Sequence, residues 1–150
     1  SSSPVDAPDL ATRAEDYVRR LLEHLDYVGV LALELFVCGA GLLANEIAPR
    51  VHNSGHWSIE GSETSQFENH LRAIMNQPLG STASRGHAGM INLIGEIPEA
   101  ARSLEAGILH DYGKSPRPGR KLGHITVTAE TAAERDTRMD HIAASVTVST

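Results

Sequence analysis

Residues 28–48 read VGVLALELFVCGAGLLANEIA, and this stretch decides the fold of the first part of the chain. Apolar residues dominate on both sides of a glycine-containing turn at residues 38–41. Glycine there supplies the backbone dihedral angles that a tight reversal of the chain needs. The pattern predicts a β-hairpin whose strands cover Val28–Val37 and Leu42–Ile47.

The register of this hairpin determines which side chains meet. If the hairpin is symmetric about Ala40, Glu34 lies directly opposite Glu46. The face that carries them otherwise holds mostly small residues. The other face is predicted to belong to the core, with Asn45 as its one polar member and with Leu33, Leu35, Val37, Leu43 and Ile47 as its apolar members.

Two opposed carboxylates suggest a cation. Like charges directly opposite each other on paired strands are destabilising, and a divalent cation would reverse that effect. Carboxylate oxygens suit Mg²⁺, which proteins often share with substrate phosphates. The spacing is equally compatible with a solvated sheet face that carries two glutamates, so both interpretations stay open.

The rest of the chain predicts an α+β protein in two pieces, joined near residues 62–80. Residues Asp9–Leu25 show the three- and four-residue apolar spacing of an amphipathic helix. Pro49 ends the second strand, and a polar loop follows over Arg50–Gly61. Further elements are predicted as helices at Ser65–Met75, Glu99–Ala106 and Thr131–Ala143, and as strands at Met90–Ile94, Ile108–Tyr112 and Gly123–Thr128.

Composition excludes several classes of protein. The 150 residues include 13 Lys and Arg against 19 Asp and Glu, giving a net charge of −6, which disfavours nucleic acid as a partner. The single cysteine, Cys38, excludes an internal disulfide. No run is apolar enough to span a bilayer and no export signal is visible, so we expect a cytoplasmic protein with no membrane partner. The first residue is serine, from which we expect a piece of a longer protein.

The loop after the hairpin concentrates polar chemistry. Arg50, His52, Asn53, Ser54 and His56 lie within seven positions. Arginine offers a planar fork for phosphate or carboxylate, and histidine exchanges protons near neutral pH. A loop that caps its own backbone would explain Asn53 and Ser54, but not Arg50 and His52 beside two carboxylates. A functional interpretation is therefore favoured here.

A basic turn stands out in the second piece of this acidic chain. Lys114, Arg117, Arg120 and Lys121 fall within eight residues, and two prolines stiffen the segment. Such a concentration of cations predicts an anion site, most plausibly for a phosphate monoester. An exposed, solvated turn is the alternative. His110 and His124 nearby are expected to be structural or supporting residues.

Taken together, these motifs resemble the C-terminal portion of the 5-(carboxyamino)imidazole ribonucleotide synthetases. This family is the ATPase subunit of phosphoribosylaminoimidazole carboxylase, within the ATP-grasp superfamily. The resemblance covers residues from about Pro8 to Thr128. The segments that carry it are Asp26–Phe36, Asn45–Trp57, Ser65–Glu68, Met90–Gly95, Tyr112–Lys114 and Arg117–His124.

The resemblance implies an architecture and a reaction. Residues 1–61 would be the C-terminal part of an ATP-grasp domain (a helix plus an antiparallel hairpin), residues 62–80 a connecting helix and loop, and residues 81–150 a small β-rich subdomain. In the implied reaction ATP phosphorylates bicarbonate to carboxyphosphate. The amine of aminoimidazole ribonucleotide then takes up the carboxylate, a step of de novo purine synthesis. The implied partners are ATP, bicarbonate, aminoimidazole ribonucleotide and, in the full-length parent, a second copy of the chain.

The resemblance also implies residue roles. Glu34 and Glu46 would hold the Mg²⁺ bound to ATP, with Asn45 as a further cofactor-binding residue. Many ATP-grasp enzymes carry an asparagine where this chain has Ala48, which leaves two clear protein ligands. Catalysis near the carboxyphosphate would fall to Arg50 and His52, and substrate binding to Asn53, Lys114, Arg120 and Lys121. Whether His52 takes a proton from the amine or orients bicarbonate stays open.

The resemblance extends neither to the first domain of the family nor to its central lid. We therefore expect residues 1–150 alone to have no synthetase activity. The alternative is a non-catalytic module from a truncated relative, which binds a nucleotide phosphate or serves oligomerisation.

Overall fold

A computed structural model of the chain describes residues 8–39 and 41–147. Helices and antiparallel strands make up this part of the chain, which confirms the predicted α+β class. The residues cluster into two compact units. Unit 1 consists of Ser1–Asn53 and Phe67–Leu79, and unit 2 of Ser54–Gln66 and Gly80–Thr150.

This division differs from the predicted domain boundaries in two segments. Residues 54–61, assigned from sequence to the first domain, cluster with unit 2. Residues 67–79, assigned to the connection, cluster with unit 1. The predicted domains are continuous stretches of chain. In the structure each unit also includes a short segment from beyond such a boundary. The boundaries at residues 61 and 80 stay a prediction of domain organisation.

Unit 1 contains helix α1 (Pro8–Leu25), strands β1 (Ala32–Cys38) and β2 (Gly41–Ala48) and most of helix α3 (Gln66–Ile74). The amphipathic helix and the hairpin are thus confirmed. In this unit the ring of His70 on α3 accepts a hydrogen bond at Nδ1 from the backbone N–H of Val30, with a distance of 3.0 Å.

The hairpin register is confirmed at the carboxylates and differs beyond them. Glu34 pairs with Glu46, but Leu35 pairs with Ala44, because a β-bulge inserts Asn45 as an extra residue in β2. The bulge moves Leu43 to the face of Glu34 and Ala44 to the opposite face. Both placements differ from the symmetric hairpin predicted from sequence. Ala40, the predicted centre of symmetry, lies outside the described residues.

The predicted core face of the hairpin is only partly buried. Leu33 and Leu35 are half-buried, while Val37 and Ile47 keep 51% and 49% of their surface exposed. Ala48, at the end of β2, is the buried residue of the hairpin within the described part of the chain. The alternating pattern thus predicted the second strand to within one residue at each end, began the first strand four residues too early and overestimated the burial of both.

The segment predicted as a polar loop contains regular structure. A 3₁₀ turn covers Asn53–Gly55, and the short helix α2 covers Ser58–Gly61. A Cβ at Gly61 would lie 2.5 Å from the Cβ of Ala88, so the close approach of α2 to the sheet requires glycine there.

Unit 2 is built on a three-stranded antiparallel sheet. Its strands, among the described residues, are β3 (His87–Ile94), β4 (Ile108–Asp111) and β5 (Lys121–Ala129), in the order β3-β5-β4. A 3₁₀ turn at Glu99–Arg102 replaces the longer helix predicted there, and helix α4 (Ala132–Thr147) follows the sheet. None of the helices described in residues 8–39 and 41–147 is both long and apolar enough to cross a membrane.

The central strand β5 is buried on both faces. Ile125 and Val127 pack with Ile142 of α4 into the hydrophobic core. The alternate residues His124 and Thr126 are also buried, with 1% of their surface exposed. The period of two along a strand places these polar residues on the face opposite the hydrophobic core.

Candidate functional site

In unit 1, His52 lies between the two carboxylates of the hairpin. Its Nδ1 is 3.7 Å from Oε1 of Glu34, and its Nε2 is 3.9 Å from Oε1 of Glu46. The His52 side chain is 13% exposed, whereas the glutamates are 41% and 51% exposed. We call these three residues the carboxylate pair and its histidine. Sequence reasoning predicted all three as site residues, and the structure brings them together.

Asn45 joins this group because of the β-bulge. Its side-chain Nδ2 donates a hydrogen bond of 3.3 Å to Oε2 of Glu34. The symmetric hairpin predicted Asn45 on the opposite face. The extra residue in β2 instead brings its amide to the carboxylate.

Arg50 and Asn53 lie on the connection that follows β2. The backbone N–H of Arg50 donates to the carbonyl oxygen of Ala48 at 2.8 Å, and its Nη1 donates to the carbonyl oxygen of Val51 at 2.9 Å. The Arg50 side chain is exposed, and Asn53 begins the 3₁₀ turn. Both residues are on the same connection as His52.

The donor set of the carboxylate pair suits a hard divalent cation. Two glutamates directly opposed in register repel each other, and carboxylate oxygens are the ligands that Mg²⁺ prefers. Within residues 8–39 and 41–147, no group of three or more His, Cys, Asp or Glu side chains is placed to hold a metal ion. A cation here would therefore take two protein carboxylates and complete its shell with phosphate or water oxygens.

In unit 2, the basic turn connects β4 to β5. Gly113 adopts a φ of 64°, in the left-handed region that glycine tolerates best, and its N–H donates to Oδ1 of Asp111 at 2.9 Å. Arg120 is held by its backbone, since its N–H donates to the carbonyl oxygen of Arg117 at 3.0 Å. Lys121 is the first residue of β5.

Three cations of the basic turn are exposed and, among the described residues, have no ion-paired carboxylate. Lys114, Arg117 and Arg120 have no ion pair with a carboxylate among the described residues, whereas Arg72 and Arg138 each pair with a glutamate at 2.7 Å. The Arg120 side chain donates from Nη1 to the carbonyl oxygen of Ser115 at 3.4 Å. Positive charge is thus available to an anion.

The rings of His56, His110, Tyr112 and His124 form a cluster in unit 2 that was not predicted from the sequence. We call it the ring cluster. Tyr112 Oη and His124 Nδ1 are 2.7 Å apart, and the rings of His124 and His110 stack with centroids 4.5 Å apart. His110 Nε2 is 2.7 Å from Oε1 of Glu60 on α2, and the His56 ring centroid is 5.4 Å from that of His124. Sequence reasoning gave His110 and His124 a structural role without identifying these partners.

Burial sets the protonation of His124 and Tyr112. Desolvation by burial is the largest cause that lowers the pKa of His124 from 6.5 to about 4. The neighbouring His110 and His56 lower this pKa further, and Glu60 opposes them with a smaller effect. Burial also raises the pKa of Tyr112. At neutral pH the hydrogen bond between them therefore joins a neutral imidazole to a protonated phenol.

The depressed pKa of His124 predicts a pH-dependent stability. An unfolded histidine takes up its proton near pH 6.5 and folded His124 near pH 4, so the unfolded state binds more protons in that window. We expect the contribution of His124 to the free energy of unfolding of the protein to fall by about 3 kcal/mol as the pH drops from 6.5 to 4.

Urea unfolding at several pH values measures this effect. The variant His124→Gln should show a flatter pH dependence, while the control His87→Gln, which removes an exposed histidine, should keep the wild-type slope. Equal slopes for wild type and His124→Gln would contradict the assignment.

Comparison with family models defines the class of protein to which these two sites correspond. Residues 1–67 match the model of the ATP-grasp domain. Residues 88–138 match the model of the phosphoribosylaminoimidazole carboxylase C-terminal domain. The chain therefore combines ATP-grasp sequence, which includes the carboxylate pair, with this C-terminal domain, which includes the basic turn.

Individual relatives carry the name of one enzyme. The N5-carboxyaminoimidazole ribonucleotide synthase of Pseudomonas aeruginosa is 53% identical over 139 residues, which cover 91% of this chain and 39% of the relative. The crystal structure of N5-carboxyaminoimidazole ribonucleotide synthetase from Thermus thermophilus matches with a TM-score of 0.88 and 54% identity. That match covers 96% of this chain and 41% of the other. The resemblance to the C-terminal portion of this synthetase family is confirmed.

A third structure shows what one relative binds. The N5-carboxyaminoimidazole synthase of Aspergillus clavatus, in complex with ADP and 5-aminoimidazole ribonucleotide, is 35% identical, with a TM-score of 0.84 over 97% of this chain and 42% of that one. The chain spans about two-fifths of the length of these relatives.

Proposed function

We propose that this chain supplies the metal carboxylates and the ribonucleotide-phosphate site of an ATP-dependent carbon–nitrogen ligase. The ligase carboxylates aminoimidazole ribonucleotide with bicarbonate in de novo purine biosynthesis. The γ-phosphoryl group of ATP passes to a bicarbonate oxygen and gives carboxyphosphate and ADP. The amine of the ribonucleotide then attacks the carboxyl carbon, and inorganic phosphate leaves.

The observation that carries this proposal is the direct opposition of Glu34 and Glu46 with His52 between them. Opposed carboxylates destabilise a hairpin, so their placement has a cost that a bound cation offsets. Glu34 and Glu46 would hold Mg²⁺, with Asn45 fixing one oxygen of Glu34. The ion would neutralise charge on the ATP phosphates as phosphoryl transfer proceeds.

Arg50 and His52 act on the bicarbonate side of this reaction. The guanidinium of Arg50 is exposed at the end of β2 and offers a planar fork for the carboxyphosphate oxygens. His52 is half-buried and has a carboxylate oxygen within 4 Å of each ring nitrogen. This position suits a ring that orients bicarbonate or receives the amine proton. Asn53, at the start of the following turn, adds a substrate-binding amide.

The basic turn binds the phosphate of the ribonucleotide through Lys114, Arg120 and Lys121. The support is their exposure and the absence of an ion-paired carboxylate on Lys114 and Arg120 among the described residues. The complex of the Aspergillus clavatus relative with ADP and 5-aminoimidazole ribonucleotide supports both ligands for this chain. A homodimer and a cytoplasmic location stay predictions from the sequence and its family.

A chimera tests the proposed function. This chain replaces the matched 139 residues of the Pseudomonas aeruginosa synthase, and phosphate release from ATP is followed with bicarbonate and aminoimidazole ribonucleotide. We expect turnover that requires all three substrates, and no turnover by the 150-residue chain alone. A folded chimera without turnover, or robust turnover by the chain alone, would contradict the proposal.

A further inference from the structure

Lys114 is held above an aromatic ring. Its Nζ lies 4.9 Å from the centroid of the Tyr112 ring, within the range of a cation–π interaction. A lysine side chain has a flexible four-carbon stem, and no described carboxylate forms an ion pair with Lys114. The Tyr112 ring is therefore the contact that restricts this ammonium.

Tyr112 is itself fixed at two points. Its backbone N–H donates to the carbonyl oxygen of Leu122 at 2.9 Å, which extends the pairing of β4 with β5. Its hydroxyl group is 2.7 Å from Nδ1 of His124. The backbone and the side chain of Tyr112 therefore both form hydrogen bonds with β5.

His124 is held in turn by the interior of unit 2. The residue is 1% exposed, and its ring stacks on that of His110 with an interplanar angle of 14°. Glu60 Oε1 is 2.7 Å from Nε2 of His110, which restricts rotation of the second ring. A continuous series of contacts therefore runs from Glu60 to the ammonium of Lys114.

We propose that Tyr112 is a positioning residue for Lys114, and that His124 is a positioning residue for Tyr112. Holding the ammonium in place before binding reduces the entropy lost when a phosphate monoester is captured. This inference rests on the proposed function of the basic turn and deepens it. It adds two residues that do not touch the phosphate but set the strength of its binding.

The lysine content of the chain makes the positioning directly measurable. Lys114 and Lys121 are the only lysines among its 150 residues, so ¹³C-labelled lysine gives two ε-methylene signals in the intact chain. We expect the ring current of Tyr112 to shift the Lys114 signal upfield of the Lys121 signal. Tyr112→Phe, which keeps the ring and removes its hydroxyl group, should reduce this shift, and Tyr112→Leu should abolish it.

Lys121 is the internal control, because its signal should stay in place in both variants. An unshifted Lys114 signal in the wild type, or an equal shift in wild type and Tyr112→Phe, would overturn the inference. Tyr112→Phe avoids the folding risk of replacing buried His124.

Ribose 5-phosphate serves as the probe for the consequence in binding. Tyr112→Leu should weaken its affinity for the chain about 2- to 5-fold, the range of a cation–π contact at an exposed site. In a Lys114→Gln background the same change should have no further effect. A full effect of Tyr112→Leu in that background would overturn the inference.

The NMR and binding results separate two failures. A shifted Lys114 signal that depends on the Tyr112 hydroxyl group, without ribose 5-phosphate binding, would support the positioning and contradict the proposed phosphate site.

Discussion

Replacing either glutamate of the carboxylate pair by glutamine is expected to reduce the turnover of the chimera about 100-fold or more, because a metal ion supplies several kcal/mol of transition-state stabilisation. The Mg²⁺ concentration needed for half-maximal rate should rise as well. Glutamine keeps the size of the side chain and one oxygen, but it removes the negative charge that the cation needs. Initial rates over a Mg²⁺ titration measure both effects for Glu34→Gln and Glu46→Gln.

Stability distinguishes loss of the metal site from loss of the fold. Removing one of two directly opposed like charges should leave the melting temperature unchanged or raise it in the absence of Mg²⁺. Glu15→Gln makes the same chemical change at an exposed position of α1 and should leave the rate unchanged. Wild-type Mg²⁺ dependence in both Glu34→Gln and Glu46→Gln would exclude the carboxylate pair as the metal site.

The basic turn is expected to control the affinity for the ribonucleotide. Lys114→Gln and Arg120→Gln should each raise the KM for aminoimidazole ribonucleotide about 10- to 100-fold, since each removes a charge-assisted hydrogen bond of about 1.5–3 kcal/mol. The KM for ATP should change far less, because these cations bind the other substrate. Steady-state kinetics of the chimera with each substrate varied in turn measures the difference.

Arg117→Gln is the matched control for this prediction. Arg117 is exposed in the same turn, loses the same charge and is not assigned to the phosphate. A similar rise in KM for Arg117→Gln would indicate that the turn acts through its overall charge. An equal rise in the KM for ATP would contradict the assignment of Lys114 and Arg120 to the ribonucleotide.

The carboxylate pair could be predicted from the sequence because its geometry is local. A hairpin symmetric about Ala40 is predicted to place Glu34 opposite Glu46. In the structure Cys38 pairs with Gly41, which by counting alone would place Glu34 opposite Asn45, and the β-bulge restores the pairing with Glu46. The same reasoning misplaced Asn45, because a β-bulge adds one residue to one strand without a distinctive sequence signal. The exposure of the hairpin depends on packing that alternation along a strand does not encode.

The ring cluster could not be predicted because it depends on pairing between distant segments. Glu60 and His110 are 50 residues apart in the chain, and their contact requires α2 to lie against unit 2's own sheet. One signal was present in the sequence. His110 and Tyr112 alternate along the strand predicted at Ile108–Tyr112, and His124 pairs directly with His110 across β4 and β5. An antiparallel alignment of those two predicted strands would have brought the rings together.

The transfer of labelled carbon by the chimera tests most directly whether this chain supplies the metal and phosphate sites of the carboxylating ligase. ¹³C-bicarbonate, ATP and aminoimidazole ribonucleotide are supplied, and the product is followed by ¹³C NMR. We predict one labelled carboxyl group on the exocyclic amine for each ATP consumed, and its loss in Glu34→Gln. ATP consumption without labelled product, or labelled product at an unchanged rate in Glu34→Gln, would contradict the assignment.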